Sequence, residues 1–400
     1  MKKLGLIVNP LAGVGGRVGL KGSDGAAIVR RALELGAARE APRRAQLTLE
    51  RVARVREQVT IVTWPGEMGE DEARAAGWEP TVVGSLAARP RLTVGAVTYV
   101  ETTAADTRQA ARDLVAAGVD LILFAGGDGT ARDVLDAVGD KVAVLGIPAG
   151  VKIHSAVYAT TPAAAGDLVA HFLVERAASA QVREGEVMDI DEEAFRDGRV
   201  SARLYGYLSV PYERLLVQSA KAGGVAGDAA ELNAIANDVV NGMEAGVMYL
   251  LGPGTTVRAI AELLGVPKTL LGVDAVRDRR LAGADLGEAR IVELLAARPD
   301  GTTRIVVTVI GGQGHVFGRG NQQLSAPVIR RVGRENVIVV ATQTKLLSLG
   351  GRPLLADTGD PGLDGELAGY LPVVTGLGRR IMYRLAGDEG SDEGSGEAGA

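Results

Sequence analysis

The chain has 400 residues, 46% of them hydrophobic, with a formal net charge of −5 and no cysteine. That length suits two domains, or one large one with additions. The composition excludes disulfides and thiolate metal sites, offers no 18-residue apolar run for a membrane helix, and argues against a large nucleic-acid surface.

The first strand is expected at Leu4–Val8, inside an apolar run too short for a signal peptide and without a small-residue cleavage site. A cytoplasmic location follows as the default. The strand runs into Asn9-Pro10-Leu11-Ala12-Gly13-Val14-Gly15-Gly16, a glycine-rich loop on the ligand-binding edge of an open sheet. Asn9 offers donors and acceptors there. Ser23-Asp24 is expected to cap a helix reaching about Leu35, ended by Gly36. Residues 39–57 carry six arginines, among them Arg44, and are read as a helix with a solvated basic face. Further strands are expected at Val59–Thr63 and Val94–Val100, with Thr103 or Asp106 capping the helix that follows.

The centre of the chain is Val119-Asp120-Leu121-Ile122-Leu123-Phe124-Ala125, followed at once by Gly126-Gly127-Asp128-Gly129-Thr130. The first part reads as a buried strand of a parallel sheet. The second reads as a phosphate turn, in which the N–H groups of Gly126, Gly127 and Gly129 face an anion and Thr130 caps the next helix. A carboxylate repels phosphate, so Asp128 in that turn points to a chemical role as a base or a metal-bound group. No Lys follows the last glycine, so this is not a Walker loop. A strand at Lys141–Leu145 leads into Pro148-Ala149-Gly150-Val151-Lys152-Ile153-His154-Ser155. This loop is expected to leave the same sheet edge as the phosphate turn, where Lys152 reads equally as a point charge on phosphate or a solvated residue, and His154 as a ribose or phosphate contact or a packed side chain.

Pro162 begins a helix expected to reach about Ala177, and antiparallel strands follow at 186–191 and 200–210. Gly252-Pro253-Gly254-Thr255-Thr256 forms a second strand–glycine–helix turn, with a strand expected at Thr269–Val273. That turn serves equally well as plain structure or as an anion site. The loop from Gly311 to Gln323, holding Gly312, Gln313, Gly314, Arg319, Asn321 and Gln322, reads as a polar-ligand loop. Val337–Ala341 and Arg352–Asp357 read as a late strand pair, and residues 387–400 as a disordered acidic tail. The expected fold is α/β: a doubly wound parallel sheet over residues 1–160, then a mixed α+β domain over 161–386.

Gly126–Thr130 after a buried strand resembles the signature shared by NAD kinases, diacylglycerol kinases and 6-phosphofructokinases. Asn9-Pro10 with its glycines resembles the same superfamily. Further pieces sharpen this: Pro65–Glu70, Pro148–Ser155, Leu251–Thr256, Gly311–Gly314, Gly318–Gln323 and Asp357–Asp360. Together they resemble the longer branch of the ATP-NAD kinase family, described as predicted ATP- or polyphosphate-dependent NAD kinases and related to acetoin-catabolism protein X. Asn237-Asp238 is the nearest counterpart of the family's second-domain Asn–acid pair. His315 stands where the branch usually has an aromatic, and Val309 and Ala326 where it has Pro.

The resemblance implies phosphoryl transfer from ATP or polyphosphate, with Mg²⁺, to the 2′-hydroxyl of NAD. Asp128 would be catalytic. Asn9, Pro10, Gly13, Gly126, Gly127, Gly129, Thr130, Lys152, His154 and Ser155 would bind phosphate or nucleotide. Gly252, Gly254, Thr255, Thr256, Gly312, Gln313, Gly314, Arg319, Asn321 and Gln322 are the candidates from the second half; no metal ligands are assigned. The implied partners are small-molecule nucleotides, not nucleic acid or membrane, and a homo-oligomer is left open. Two rivals stand beside this: a kinase of another small alcohol or a lipid, and a nucleotide-binding accessory protein without turnover.

Overall fold

The computed structural model describes residues 1–20, 25–86, 91–151, 153–175, 181–190, 202–213, 216–217, 229–269, 271–298 and 301–387. Ser23, Asp24, Lys152 and the tail beyond Gly387 lie outside the described residues.

The chain opens with β1 (Lys2–Val8), α1 (Ala26–Glu34), α2 (Glu40–Val52), β2 (Val59–Thr63), α3 (Glu70–Ala75) and β3 (Thr81–Val82). A hairpin of β4 (Arg91–Val94) and β5 (Val97–Val100) follows, then α4 (Ala104–Ala116), β6 (Leu121–Gly126), α5 (Asp128–Val138) and β7 (Ala143–Pro148). The parallel sheet has the order β3-β2-β1-β6-β7. β1 therefore sits between β2 and β6, with Leu4 beside Leu121 and Val8 beside Ala125. Every residue of β6 is buried, as a central strand covered on both faces requires.

The single strand expected at Val94–Val100 is instead the second arm of the β4–β5 hairpin, a separate antiparallel pair turning at Gly95 with φ +59°. Glycine at a left-handed position makes the two-residue turn possible, and the break was hidden by the β-prone residues on either side. Thr130 does not cap α5. The helix begins at Asp128, with Gly127 at the cap position and Thr130 inside the first turn. At α4 the Thr103 backbone N–H donates to Asp106 Oδ2 at 2.7 Å, as a capping box does.

After β7 come α6 (Pro162–Ala170) and an antiparallel hairpin of β8 (Val182–Ile190) and β9 (Ala202–Pro211). Val187, Leu208 and Val210 of this hairpin pack in one cluster with the parallel sheet. The later strands are β10 (Met248–Leu251), β11 (Val273–Arg277), β12 (Arg280–Leu286), β13 (Thr303–Thr308), β14 (His315–Phe317), β15 (Val337–Val340), β16 (Leu354–Ala356), β17 (Gly369–Gly376) and β18 (Arg379–Ala386). They form one mixed sheet in the order β12-β11-β10-β13-β15-β17-β18-β16-β14.

The strand expected at Thr269–Val273 starts where that range ends. Thr269 instead donates its N–H and hydroxyl to buried Asp274, making a loop closure rather than a ladder. The late strand pair is not a pair either: β15 lies beside β13 and β17, while β16 lies beside β14 and β18.

Candidate active site

In the order β3-β2-β1-β6-β7 the connections reverse direction between β1 and β6. Loops leaving those two strands diverge, and the crevice between them is where open α/β sheets hold ligands. The loop after β1 carries Asn9, Pro10 and Gly13; the loop after β6 is the Gly126–Thr130 turn. Asn9 spans the crevice: its Nδ2 donates to Thr130 Oγ1 at 3.0 Å. The glycines are needed for close approach. A Cβ at Gly126 would come within 2.4 Å of Thr130, and one at Gly13, with φ +75°, within 1.8 Å of the Ala149 carbonyl. Gly129 is different: nothing lies within 4 Å of the place its Cβ would occupy. The first-turn N–H groups of α5 have no intrahelical acceptor, as at any helix start.

Asp128 stands at the first position of α5 and is 5% exposed. Its carboxylate is caged by the loop after β7. Oδ1 accepts the Ser155 N–H at 3.1 Å and the Ser155 hydroxyl at 2.6 Å. Oδ2 accepts the His154 N–H at 2.8 Å and faces His154 Nδ1 at 3.3 Å. Ser155 Oγ in turn accepts the Met188 N–H at 3.0 Å, so β8 braces the cage. Beneath it, the Tyr158 hydroxyl donates to the Gly127 carbonyl at 2.6 Å. Burial and the nearby Asp128 charge push the Tyr158 phenol well above its usual range, so it stays a donor.

The second half reaches this site through backbone. Gln313 Nε2 donates to the Ile153 carbonyl at 3.0 Å, and the Gly320 N–H and Gln322 Nε2 both donate to Val151 O at 3.1 and 3.0 Å. His315 Nε2 and Arg319 meet the Thr160 carbonyl at 3.1 and 3.2 Å. Burial and neighbouring Arg319 lower the His315 pKa to about 3, so its ring is neutral. Burial likewise lowers Arg319 to about 10, still charged at neutral pH.

Asn321 closes its own loop, with Nδ2 on the Val316 carbonyl and Oδ1 on the Gly318 N–H. Gly312 donates its N–H to Ser348, and Gly314, at φ +87°, turns the chain into β14. Other polar atoms of this loop stay unpartnered although buried: His315 Nδ1, Arg319 Nε, Gln322 Oε1 and Gln323 Oε1.

A cavity beside the glycine turn is lined by Gly13, Arg17, Arg44, Gly150, Arg319 and Asp357. Arg44 and Arg319 share one oxygen of Asp357, at 2.7 and 3.1 Å. Arg44 is 7% exposed, so the solvated basic face expected of its helix fails at this position. The signal was in the spacing: Ala41, Ala45, Thr48 and Val52 form the buried stripe, and Arg44 lies on it.

Two ATP-NAD kinase models match the sequence. One, described as the N-terminal domain, covers residues 4–177; the other, described as the C-terminal domain, covers residues 244–385. The chain belongs to the ATP-NAD kinase family. No curated protein and no solved structure matches it. In this family member the two matched segments supply the two sides of the Asp128 loop: the crevice from the first, the backbone clamp from the second.

The remaining candidates separate. Gly252, Gly254, Thr255 and Thr256 form the start of the helix Thr255–Leu264, where Gly254 has φ +113°. The buried Thr256 hydroxyl accepts from Lys345 Nζ at 2.9 Å, and Lys345 also reaches Thr308 at 3.1 Å. Lys345 was not singled out from the sequence; it lies 89 positions away and has no local signature. Asp238 ties its helix to the β17–β18 turn, accepting from the Gly378 N–H and from Arg380. Asn237 bonds to the Asn233 carbonyl of the same helix.

Proposed function

We propose that this protein is a kinase that transfers the terminal phosphoryl group of ATP, or of polyphosphate, to the 2′-hydroxyl of NAD, giving NADP. The observation that carries the reading is Asp128: a carboxylate fixed at the start of a helix, at the switch point of the sheet, beside free first-turn N–H groups. Phosphoryl transfer depends mainly on positioning and charge neutralisation. The N–H groups near Gly127 and Gly129 would hold donor phosphate, and Asn9 would fix the Thr130 side of the crevice. Arg44 and Arg319, buried beside the same crevice, bring two positive charges against the Asp357 and Glu40 carboxylates in the same wall; in this reading Lys152 would neutralise phosphate as a point charge. Asp128, through the cage around it, would handle the acceptor's proton. The two-domain division at 160/161 belongs to this reading, the second domain closing the cleft.

Mg²⁺ would neutralise the donor phosphates. Among the described residues no group of three His, Asp or Glu side chains could hold a metal, and both Asp128 oxygens are taken by hydrogen bonds. In this reading the ion arrives on the donor's phosphates, as Mg²⁺ commonly does. No described helix is long and apolar enough to cross a membrane.

The test is the purified chain with Mg²⁺, either ATP or polyphosphate, and a panel of NAD, NADH, nucleosides and diacylglycerol. NADP formed above all other products supports the reading. A phosphorylated product from another acceptor, with none from NAD, would replace it.

A further inference from the structure

The Asp128 carboxylate takes two contacts on each oxygen, from Ser155 N–H and hydroxyl on one and from His154 N–H and Nδ1 on the other. Its accepting positions are filled from within the protein. One atom of the cluster is left open. His154 Nε2 is sealed from solvent and hydrogen-bonds to nothing. The Nδ1 contact decides what that atom is. A carboxylate only accepts, so Nδ1 carries the ring proton, and the neutral ring has a bare lone pair on Nε2. A buried acceptor without a partner is costly and calls for an explanation outside packing.

We infer that His154 Nε2, rather than the Asp128 carboxylate itself, takes the proton of the acceptor hydroxyl, with Asp128 as the positioning residue that holds the ring in that tautomer. This rests on the kinase reading above. As the hydroxyl oxygen bonds to the donor's terminal phosphorus, its proton passes to Nε2. The bond from that phosphorus to the bridging oxygen breaks, and the shortened donor leaves with the electron pair. The imidazolium faces the Asp128 carboxylate, which stabilises it, and later loses the proton to water. Nε2 is sealed from solvent, so the transfer requires the acceptor hydroxyl to displace what covers it, and it then occurs where bulk water is excluded.

Two measurements test this. The chain has three histidines, and their rings differ in setting: His154 on Asp128, His171 between Glu175 and Glu213, His315 on a backbone carbonyl. The ¹⁵N spectrum of the full chain with labelled histidine, assigned with His154→Gln, is expected to show His154 protonated on Nδ1 at neutral pH. A proton on Nε2 overturns the inference.

In NADP formation, His154→Gln is expected to lower kcat by about a hundredfold or more, the range of general-base catalysis. The KM for NAD should move less than about threefold, and the acid limb of the kcat profile should vanish. A variant that keeps over about a tenth of kcat, or whose residual activity keeps the acid limb, overturns the inference. If the wild-type chain makes no NADP, the kinase reading falls, while the spectrum still decides the tautomer.

Discussion

The two glycine turns of this molecule use one backbone device for different chemistry. Each runs from a buried strand through glycines into a helix, and each buries a threonine hydroxyl in the first helical turn. At the first turn that hydroxyl, on Thr130, meets the neutral amide of Asn9, and the charged group nearby is the Asp128 carboxylate. At the second, the Thr256 hydroxyl meets the Lys345 ammonium. One turn can manage a proton, the other can only attract negative charge. The shared strand–turn–helix pattern therefore says where an anion could sit. The residue brought in from elsewhere in the chain says what can happen to it.

Four substitutions would break or sharpen that contrast. The largest effect belongs to Asp128→Asn. Both carboxylate oxygens accept from donors, so either orientation of the amide turns an NH₂ toward Ser155 or His154. NADP formation should fall by about 10³-fold, within the range for loss of acid–base function. The denaturation midpoint should fall by an amount equivalent to about 1–3 kcal/mol. Retained stability would mean that the cage does not form.

Lys345→Met comes next. If the second turn holds a substrate anion, the Michaelis constant for one nucleotide should rise about tenfold or more, as expected for a lost charge-assisted hydrogen bond, with kcat little changed. Unchanged constants with a lower melting temperature would make that turn structural only.

The glycines of the two turns should respond in opposite ways. Gly254 has φ +113°, and an added Cβ would come within 2.6 Å of Thr308. Gly254→Ala should cost about 1–3 kcal/mol in urea unfolding, the usual penalty of a strained backbone. Gly129 has a helical backbone and open space around it. Gly129→Ala should raise stability by about 0.5–1 kcal/mol, since alanine is the better helix former. If phosphate occupies that space, activity should fall in the same protein. A variant both more stable and fully active would show that nothing binds there.

What was legible in the sequence follows the range of the interactions. β6 could be read because a strand covered on both faces must be apolar throughout, and Gly126–Thr130 because its constraints are local. The Thr103–Asp106 capping box is equally local. Arg44 was misread because its partner Asp357 is 313 positions away, so only its place on an apolar stripe hinted at burial. The cage on Asp128 was invisible for a similar reason. His154 and Ser155 were named as nucleotide contacts from their motif, but nothing in the spacing says that they turn toward the carboxylate. The β4–β5 hairpin was missed because β-prone residues on both sides of a glycine look like one strand.

The clamp on the Val151–Thr160 loop has a consequence for how this protein can vary. Gln313, His315, Gly320 and Gln322 all address carbonyl oxygens of that loop, and none of these contacts depends on which side chain sits at the receiving position. The second half gauges the path of the loop and is blind to its lettering. The half-buried side chain at Val151 is thereby released to vary, while Ile153 is held by the core it packs in and the route that brings Ser155 to Asp128 is inherited unchanged. A severed first half would keep every atom of the Asp128 cage and lose the jig that sets its alignment.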